Sequence, residues 1–198
     1  MPITLPLPPF EMRQLVGPTD PLLFDNPSGH LVFPDVPVEA YESVFDFGCG
    51  CGRIARMLIQ QMPRPHRYVG IDLHLGMVRW CQANLEPYAE GFKFLHHNVR
   101  NISSRGSCFS KLKQHLYDIL NPGDHKPTKL PFPASDGSFK LVIAWSVFTH
   151  SLEEQTVYYL KEVSHILYRD GIFLSTWFLF DKLYFPMMQE FQNALFDQ

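Results

Sequence analysis

Three glycines at alternate positions limit what this chain can fold into. An apolar run that ends at Phe47 predicts a buried strand, and apolar residues at helical spacing continue from Ile54 until Pro63. The glycines at this strand-to-helix junction are Gly48, Gly50 and Gly52. Because glycine allows a positive φ and carries no Cβ, a ligand can approach the main chain at such a turn, beside the unpaired N–H groups of the helix.

Two classes of nucleotide-like ligand use a turn of this kind, and the glycine spacing distinguishes them. A dinucleotide-binding fold has G-x-G-x-x-G, which would place its third glycine at position 53 and a pyrophosphate over the helix N-terminus. That position is Arg53, and the pattern is G-x-G-x-G preceded by the acid Asp46. With these residues the chain resembles the class I S-adenosylmethionine-dependent methyltransferases. A nicotinamide-dependent oxidoreductase is the alternative, and Arg53 argues against it.

A second strand that ends in an acid supports the resemblance. Asp72 closes the segment Tyr68–Asp72 and stands about twenty residues beyond the glycines, where either nucleotide fold places its acid. The resemblance implies that Asp72 binds the ribose diol, since a carboxylate accepts from both hydroxyls at roughly 1.5–3 kcal/mol per hydrogen bond. The alternative is that Asp72 only caps the helix that begins near Leu73.

The later strands extend the resemblance. A third strand over 92–96 leads to Asn98, where the family commonly has an acid followed by an apolar residue to hold the adenine. The Asn98 carbonyl accepts the same hydrogen bond but adds no charge. A continuous apolar strand, Lys140–Trp145, looks like the family's fourth strand. The cofactor-binding residues that the resemblance implies are Asp46, Gly48, Cys49, Gly50, Gly52, Asp72, Leu73, Asn98, Val99 and Trp145.

Repeated strand and helix units predict the fold class. A capping box from Ser151 to Glu154 begins a helix, an Asp170-Gly171 turn ends it, and a fifth strand follows over 171–177. Right-handed crossovers join such units into one architecture. We therefore expect an α/β fold with a doubly wound, mostly parallel sheet of about five strands in the order 3-2-1-4-5.

Three parts of the chain are expected to differ in role. Residues 1–40 are rich in proline but carry apolar anchors, so we expect an arm packed on the domain, which either closes over the cofactor pocket or packs without touching the ligand. Residues 41–180 form the S-adenosylmethionine-binding methyltransferase domain. Residues 181–198 form a C-terminal helix, and the hairpin that completes the family's sheet is expected to be missing. The fifth strand would then lie at an edge through which the chain self-associates.

The resemblance implies O- or N-methyl transfer to a small-molecule acceptor by direct in-line displacement. Positioning can contribute roughly 7–11 kcal/mol to such a reaction, so no covalent intermediate is needed. A hydroxyl acceptor also needs a base, and the catalytic candidate is His150 at the mouth of the fourth strand. The alternative is that His150 only bonds a neighbouring main-chain group. His74, His96 and His97 lie further away in the pattern, and a non-catalytic, incomplete binding module is a further hypothesis.

Composition excludes several other functions. A formal net charge of −3 provides no broad basic field for nucleic acid. The longest apolar run, Ile172–Phe180, is well short of the roughly 20 residues that a membrane span needs. The N-terminus has no basic flank before an apolar core, so we expect no secretory signal. Four cysteines are too few for a disulfide scaffold and match no usual zinc spacing, so we expect a cytoplasmic protein without a metal.

Overall fold

A computed structural model describes residues 4–99, 127–149 and 151–177. Its strands are β1 (Ser43–Phe47), β2 (Arg67–Asp72), β3 (Phe92–His96), β4 (Phe139–Ala144) and β5 (Leu167–Ser175). Its α-helices are α1 (Phe10–Leu15), α2 (Arg53–Gln60), α3 (Leu75–Asn84) and α4 (Glu153–Ile166). The candidate base His150 and the predicted C-terminal helix over 181–198 lie outside the described residues.

The five strands form one parallel sheet in the order β3-β2-β1-β4-β5, which confirms the predicted fold class and strand order. The chain runs outward from β1 to β3 on one side and returns to β4 on the other. The carboxyl ends of β1 and β4 therefore flank the crevice where open α/β sheets bind ligands. Phe47 pairs with Ile71, so the glycine turn begins directly beside Asp72.

Both faces of the sheet are covered, which explains why its central strands are almost continuously apolar. Val44 and Phe45 are both fully buried and point to opposite faces. Val44 packs in the cluster that includes Leu58 of α2 and Val78 of α3. Phe45 packs on the other side with Val163 of α4.

The helix before β5 is shorter than the sequence predicts, and the predicted Asp170-Gly171 helix stop is wrong. Helix α4 ends at Ile166 and β5 begins at once. Leu167 pairs with Phe139, but the next pair joins Ile172 to Leu141, so the residues between them form a bulge in the strand. The predicted Asp-Gly turn is this bulge.

The predicted capping box at the start of α4 does not form. Leu152 occupies the N-cap position and makes no side-chain cap hydrogen bond. The Ser151 hydroxyl instead donates to the Val147 carbonyl at 3.1 Å, and Glu154 forms an ion pair with Lys129. The Ser151 and Glu154 side chains thus contact neighbouring loops and do not cap the first turn of α4.

A buried arginine attaches the N-terminal segment to helix α2. Arg56 on α2 is 4% exposed and donates to the carbonyls of Leu5 (2.9 Å), Pro6 (3.1 Å) and Phe24 (2.7 Å), and it also pairs with Asp25. These bonds satisfy the guanidinium and three carbonyl groups together. The arm is therefore anchored at several points along its length.

Replacing this arginine should destabilise the protein. Arg56→Leu leaves Asp25 and three carbonyl oxygens without their donor, so we expect the free energy of unfolding in urea to fall by about 3 kcal/mol. Arg79→Leu, which removes an exposed arginine from α3, should change it by no more than about 0.5 kcal/mol. Equal effects of the two substitutions would contradict the anchoring role of Arg56.

Candidate functional site

A cavity of about 620 Å³ opens at the carboxyl ends of the strands. The glycine turn, the segment after β2, the end of β3 and the loop after β4 form its walls, and residues 14–17 of the arm form another wall. Six of the residues implied by the resemblance line it, namely Gly48, Gly50, Asp72, Leu73, Val99 and Trp145. The geometry therefore brings together residues that are up to 97 positions apart, from Gly48 to Trp145.

The carboxylate of Asp72 ties the glycine turn to the end of β2. One oxygen accepts from the Gly50 N–H at 2.9 Å and the other from the His74 N–H at 2.7 Å. The Ile71 carbonyl accepts from the N–H groups of Gly48 (2.8 Å) and Cys49 (3.0 Å). Burial raises the pKa of Asp72, and the two backbone hydrogen bonds oppose that shift.

Asp72 does not cap the helix that follows it. The N-cap residue of α3 is His74, whose Nδ1 accepts from the Met77 N–H at 3.3 Å. Each Asp72 oxygen has one protein donor among these bonds, while an ionised carboxylate offers about four acceptor sites. Acceptor capacity is therefore left at the cavity wall.

Two glycines of the turn are required by the packing of other segments. Gly48 and Gly50 have φ values of 81° and 55°, a region that side chains rarely adopt. A Cβ at Gly48 would lie 2.5 Å from the Val147 Cγ2, and a Cβ at Gly50 would lie 2.7 Å from the Val16 Cγ1. The bare main chain thus lets the arm and the loop after β4 close on the turn, a role that the sequence analysis assigned to ligand approach alone.

Four of the implied residues lie outside the cavity lining. Cys49 is buried behind the turn, and Gly52 is the N-cap of α2 with a φ of 78°. Asn98 is exposed. Asp46 is 1% exposed and accepts from the Tyr68 hydroxyl at 2.7 Å, while its Oδ1 has no hydrogen-bond partner. Cys49, Gly52 and Asp46 therefore affect the cavity only through the turn of which they are part or to which they are adjacent.

His97, which the sequence pattern places further from the site than His150, lies in the cavity wall. His97 is 5% exposed, and its Nε2 lies 2.9 Å from the hydroxyl oxygen of Tyr159, which also lines the cavity. Burial lowers the pKa of His97 to about 4 and raises the pKa of Tyr159 to about 12. Both groups are therefore uncharged at neutral pH. Successive side chains at the end of β3 point to opposite sides, so His97 is buried where its neighbour Asn98 is exposed. This alternation is the sequence signal that could have identified His97.

The loop after β4 supplies the remaining wall. Strand β4 ends at Ala144, one residue before its predicted end at Trp145. Trp145 stacks on Phe33 of the arm, with ring centroids 5.6 Å apart. Ser146 has a φ of 59°, which is uncommon for a residue with a side chain, and its N–H donates to the Thr176 hydroxyl at 2.7 Å. These contacts fix the loop against β5 and the arm.

Within the described ranges, no three histidine, cysteine or carboxylate side chains are placed to hold a metal ion. No helix in the same part of the chain is long and apolar enough to cross a membrane.

The buried acid beside the turn should make stability depend on pH. Burial raises the pKa of Asp46 from 3.8 to about 7, so between these values the folded state holds a proton that the unfolded state has lost. The contribution of Asp46 to the free energy of unfolding is therefore largest below pH 3.8 and is lost as the pH rises to about 7. Relative to the parent, Asp46→Asn should gain about 3 kcal/mol in unfolding free energy between pH 4.5 and pH 7.5.

Urea titrations at several pH values measure this difference directly. Asp136→Asn, at an exposed turn position, serves as the matched control and should show no such trend. A constant difference between Asp46→Asn and the parent across the range would mean that Asp46 does not titrate as a buried acid.

Comparison with known proteins shows what part of this chain is similar to. A family model described as a methyltransferase domain matches residues 44–112. The solved structures similar to this chain include a complex between the Haloferax volcanii Trm112 methyltransferase activator and the putative methyltransferase, at 22% identity and a TM-score of 0.44, covering 70% of this chain and 46% of that chain. Another is PH0226 protein from Pyrococcus horikoshii OT3, at 19% identity and a TM-score of 0.43, covering 75% and 54%.

A third similar structure is phosphoethanolamine N-methyltransferase 1 from Haemonchus contortus, in complex with phosphoethanolamine and S-adenosylhomocysteine. It has 14% identity and a TM-score of 0.45, covering 67% of this chain and 22% of that chain. This chain therefore spans about half or less of the length of these solved proteins. The residues that the methyltransferase-domain model matches include the glycine turn, the second strand and its terminal acid.

Proposed function

We propose that this chain is an S-adenosylmethionine-dependent methyltransferase that acts on a small-molecule acceptor. The observation that carries the proposal is the Asp72 carboxylate, which lies in the cavity wall and is fixed by the Gly50 N–H. A fixed carboxylate with acceptor sites to spare suits a ribose diol, because it accepts from two neighbouring hydroxyls without moving. The cavity volume of about 620 Å³ lies in the usual range for small-molecule sites.

The other lining residues fit the same ligand. Leu73 and Val99 supply apolar surface on either side of the ends of β2 and β3, where we place the adenine. Asn98 remains a proposed adenine contact, but its exposed side chain makes it the weakest of the set. Gly48 and Gly50 bring main chain to the cavity beside Asp72, and Trp145 closes the side toward β4.

We assign Asp46, Cys49 and Gly52 an indirect part in cofactor binding. Asp46 holds the Tyr68 hydroxyl beneath the turn, and Cys49 fills the space behind it. A Cβ at Gly52 would lie 2.5 Å from the Leu85 Cδ1, so this glycine lets the region after α3 pack on the turn. Substitution of these residues should affect cofactor binding through the shape of the turn.

S-adenosylmethionine, when bound, would supply a methyl group activated by the sulfonium charge: the acceptor's lone pair would bond to the methyl carbon as the carbon–sulfur bond breaks, and the neutral thioether would leave. The residues of this chain need only hold the two reactants in line and exclude water. Such positioning can lower the activation barrier by roughly 7–11 kcal/mol. Covalent participation by the protein is not required. His150 remains the candidate base for a hydroxyl acceptor.

The state of the cysteines fits a reducing compartment, and we place the protein in the cytoplasm. Cys49, Cys51 and Cys81 are buried thiols with no disulfide. Burial raises the pKa of each, which keeps the thiol form dominant. Such thiols persist where glutathione and thioredoxin are active.

Loss of the Asp72 charge should weaken cofactor binding. Asp72→Asn keeps the size of the side chain and removes the negative charge and one acceptor oxygen, so we expect the calorimetric Kd for S-adenosylhomocysteine to rise at least about tenfold, or about 1.4 kcal/mol. Asp170→Asn, on the exposed bulge of β5, is the matched control and should leave the Kd unchanged.

The same titration with NAD should give no binding heat. Tight binding of NAD by the parent protein would overturn the proposed function. Equal S-adenosylhomocysteine affinity for Asp72→Asn and the parent would overturn the assignment of Asp72 to the ribose.

A further inference from the structure

The pair formed by His97 and Tyr159 is a buried polar site in the cavity wall. The His97 Nε2 and the Tyr159 hydroxyl oxygen are 2.9 Å apart, and the two residues are 5% and 3% exposed. A hydroxyl has one donor and two acceptor sites, so two sites of the Tyr159 hydroxyl remain after the contact with His97.

Aromatic rings surround this polar pair. The Phe47 ring centroid lies 4.7 Å from that of Tyr159 and 6.1 Å from that of His97, and all three residues line the cavity. Trp145 lines it as well and is 37% exposed. Faces and edges of this kind favour contact with another planar ring.

The charges of the lining select against anionic compounds. Among the described residues, Asp72 is the only carboxylate that lines the cavity, and no lysine or arginine lines it. A carboxylate or phosphate group entering the cavity would lose its hydration beside a like charge, and none of these described lining residues is a cation that could pair with it. An uncharged hydroxyl meets no such penalty and completes the hydrogen bonds of the pair.

We propose that the methyl acceptor is an uncharged phenol, with its ring against Phe47 and Trp145 and its hydroxyl bonded to the Tyr159–His97 pair. This inference rests on the proposed function and adds the substrate class. Tyr159 touches the acceptor directly, and His97 is a positioning residue that fixes the Tyr159 hydroxyl. The Tyr159–His97 pair favours a ligand with a hydroxyl, and the charge of Asp72 disfavours an anion.

Three naphthalene compounds test the inference by binding, without turnover. At pH 7, 2-naphthol offers a neutral hydroxyl, 2-naphthoate offers a carboxylate on the same ring, and 2-methoxynaphthalene offers no donor. Ligand-observed NMR titration of the full chain should show 2-naphthol binding at least tenfold more tightly than 2-naphthoate. Absence of 2-naphthol binding, or equal or tighter binding of 2-naphthoate, would overturn the proposed acceptor class.

Two tyrosines on the same helix provide a matched pair of variants. Tyr159→Phe should weaken 2-naphthol binding at least fivefold and leave 2-methoxynaphthalene binding unchanged. Tyr158→Phe removes a hydroxyl from the adjacent residue, which does not line the cavity, and should leave both unchanged. His97→Gln is a second test if Tyr159→Phe fails to fold, and it should also weaken 2-naphthol selectively. Parent-like 2-naphthol affinity in the folded variant would exclude the pair from acceptor binding.

Cofactor affinity separates this inference from the proposed function. Tyr159→Phe should bind S-adenosylhomocysteine as the parent does, because Tyr159 has no part in the Asp72 contacts. If the parent binds S-adenosylhomocysteine but shows no preference for 2-naphthol, the acceptor class is wrong and the methyltransferase proposal stands. If the preference for 2-naphthol holds and S-adenosylhomocysteine does not bind, the methyltransferase proposal fails.

Discussion

The hydrogen bonds of one carboxylate hold the site together. Asp72 accepts from the Gly50 N–H and the His74 N–H, and so joins the turn after β1, the end of β2 and the start of α3. The arm then closes on the turn at Val16, and the loop after β4 closes on it at Val147. Without this carboxylate the Gly50 N–H would lose its acceptor, and the hydrogen bonds from the turn to β2 would be those to the Ile71 carbonyl. The cavity wall depends on Asp72 before any ligand enters.

Two acids, Asp46 and Asp72, lie near the same turn, and the hydrogen-bond donors around each carboxyl group differ. Burial raises the pKa of both, and the charge of Asp72 raises the pKa of Asp46 further. Asp72 has two backbone N–H donors that favour its ionised form, whereas Asp46 has the Tyr68 hydroxyl and an oxygen without a partner. The acid that faces the cavity is thus the one stabilised as a carboxylate. The acid behind the turn lacks such donors, and its burial raises its pKa to about 7.

Local patterns were sufficient to predict the sheet and the position of Asp72. The apolar strand, the glycines and the acid are read from short segments, and parallel pairing places their ends together. The Tyr159–His97 contact was not predictable in this way, because it joins residues 62 positions apart through the packing of α4 on the sheet. The bulge before Ile172 was missed for a related reason. Its Asp-Gly pair is typical of a helix end, and only pairing with β4 shows that it lies within a strand.

A crystal structure of this chain grown with S-adenosylhomocysteine would show whether Asp72 binds the ribose. Both ribose hydroxyl oxygens should lie within about 3.2 Å of the Asp72 carboxylate, with the Gly50 N–H still bonded to it. Density for the ligand elsewhere, or with its ribose turned away from Asp72, would contradict this role of Asp72.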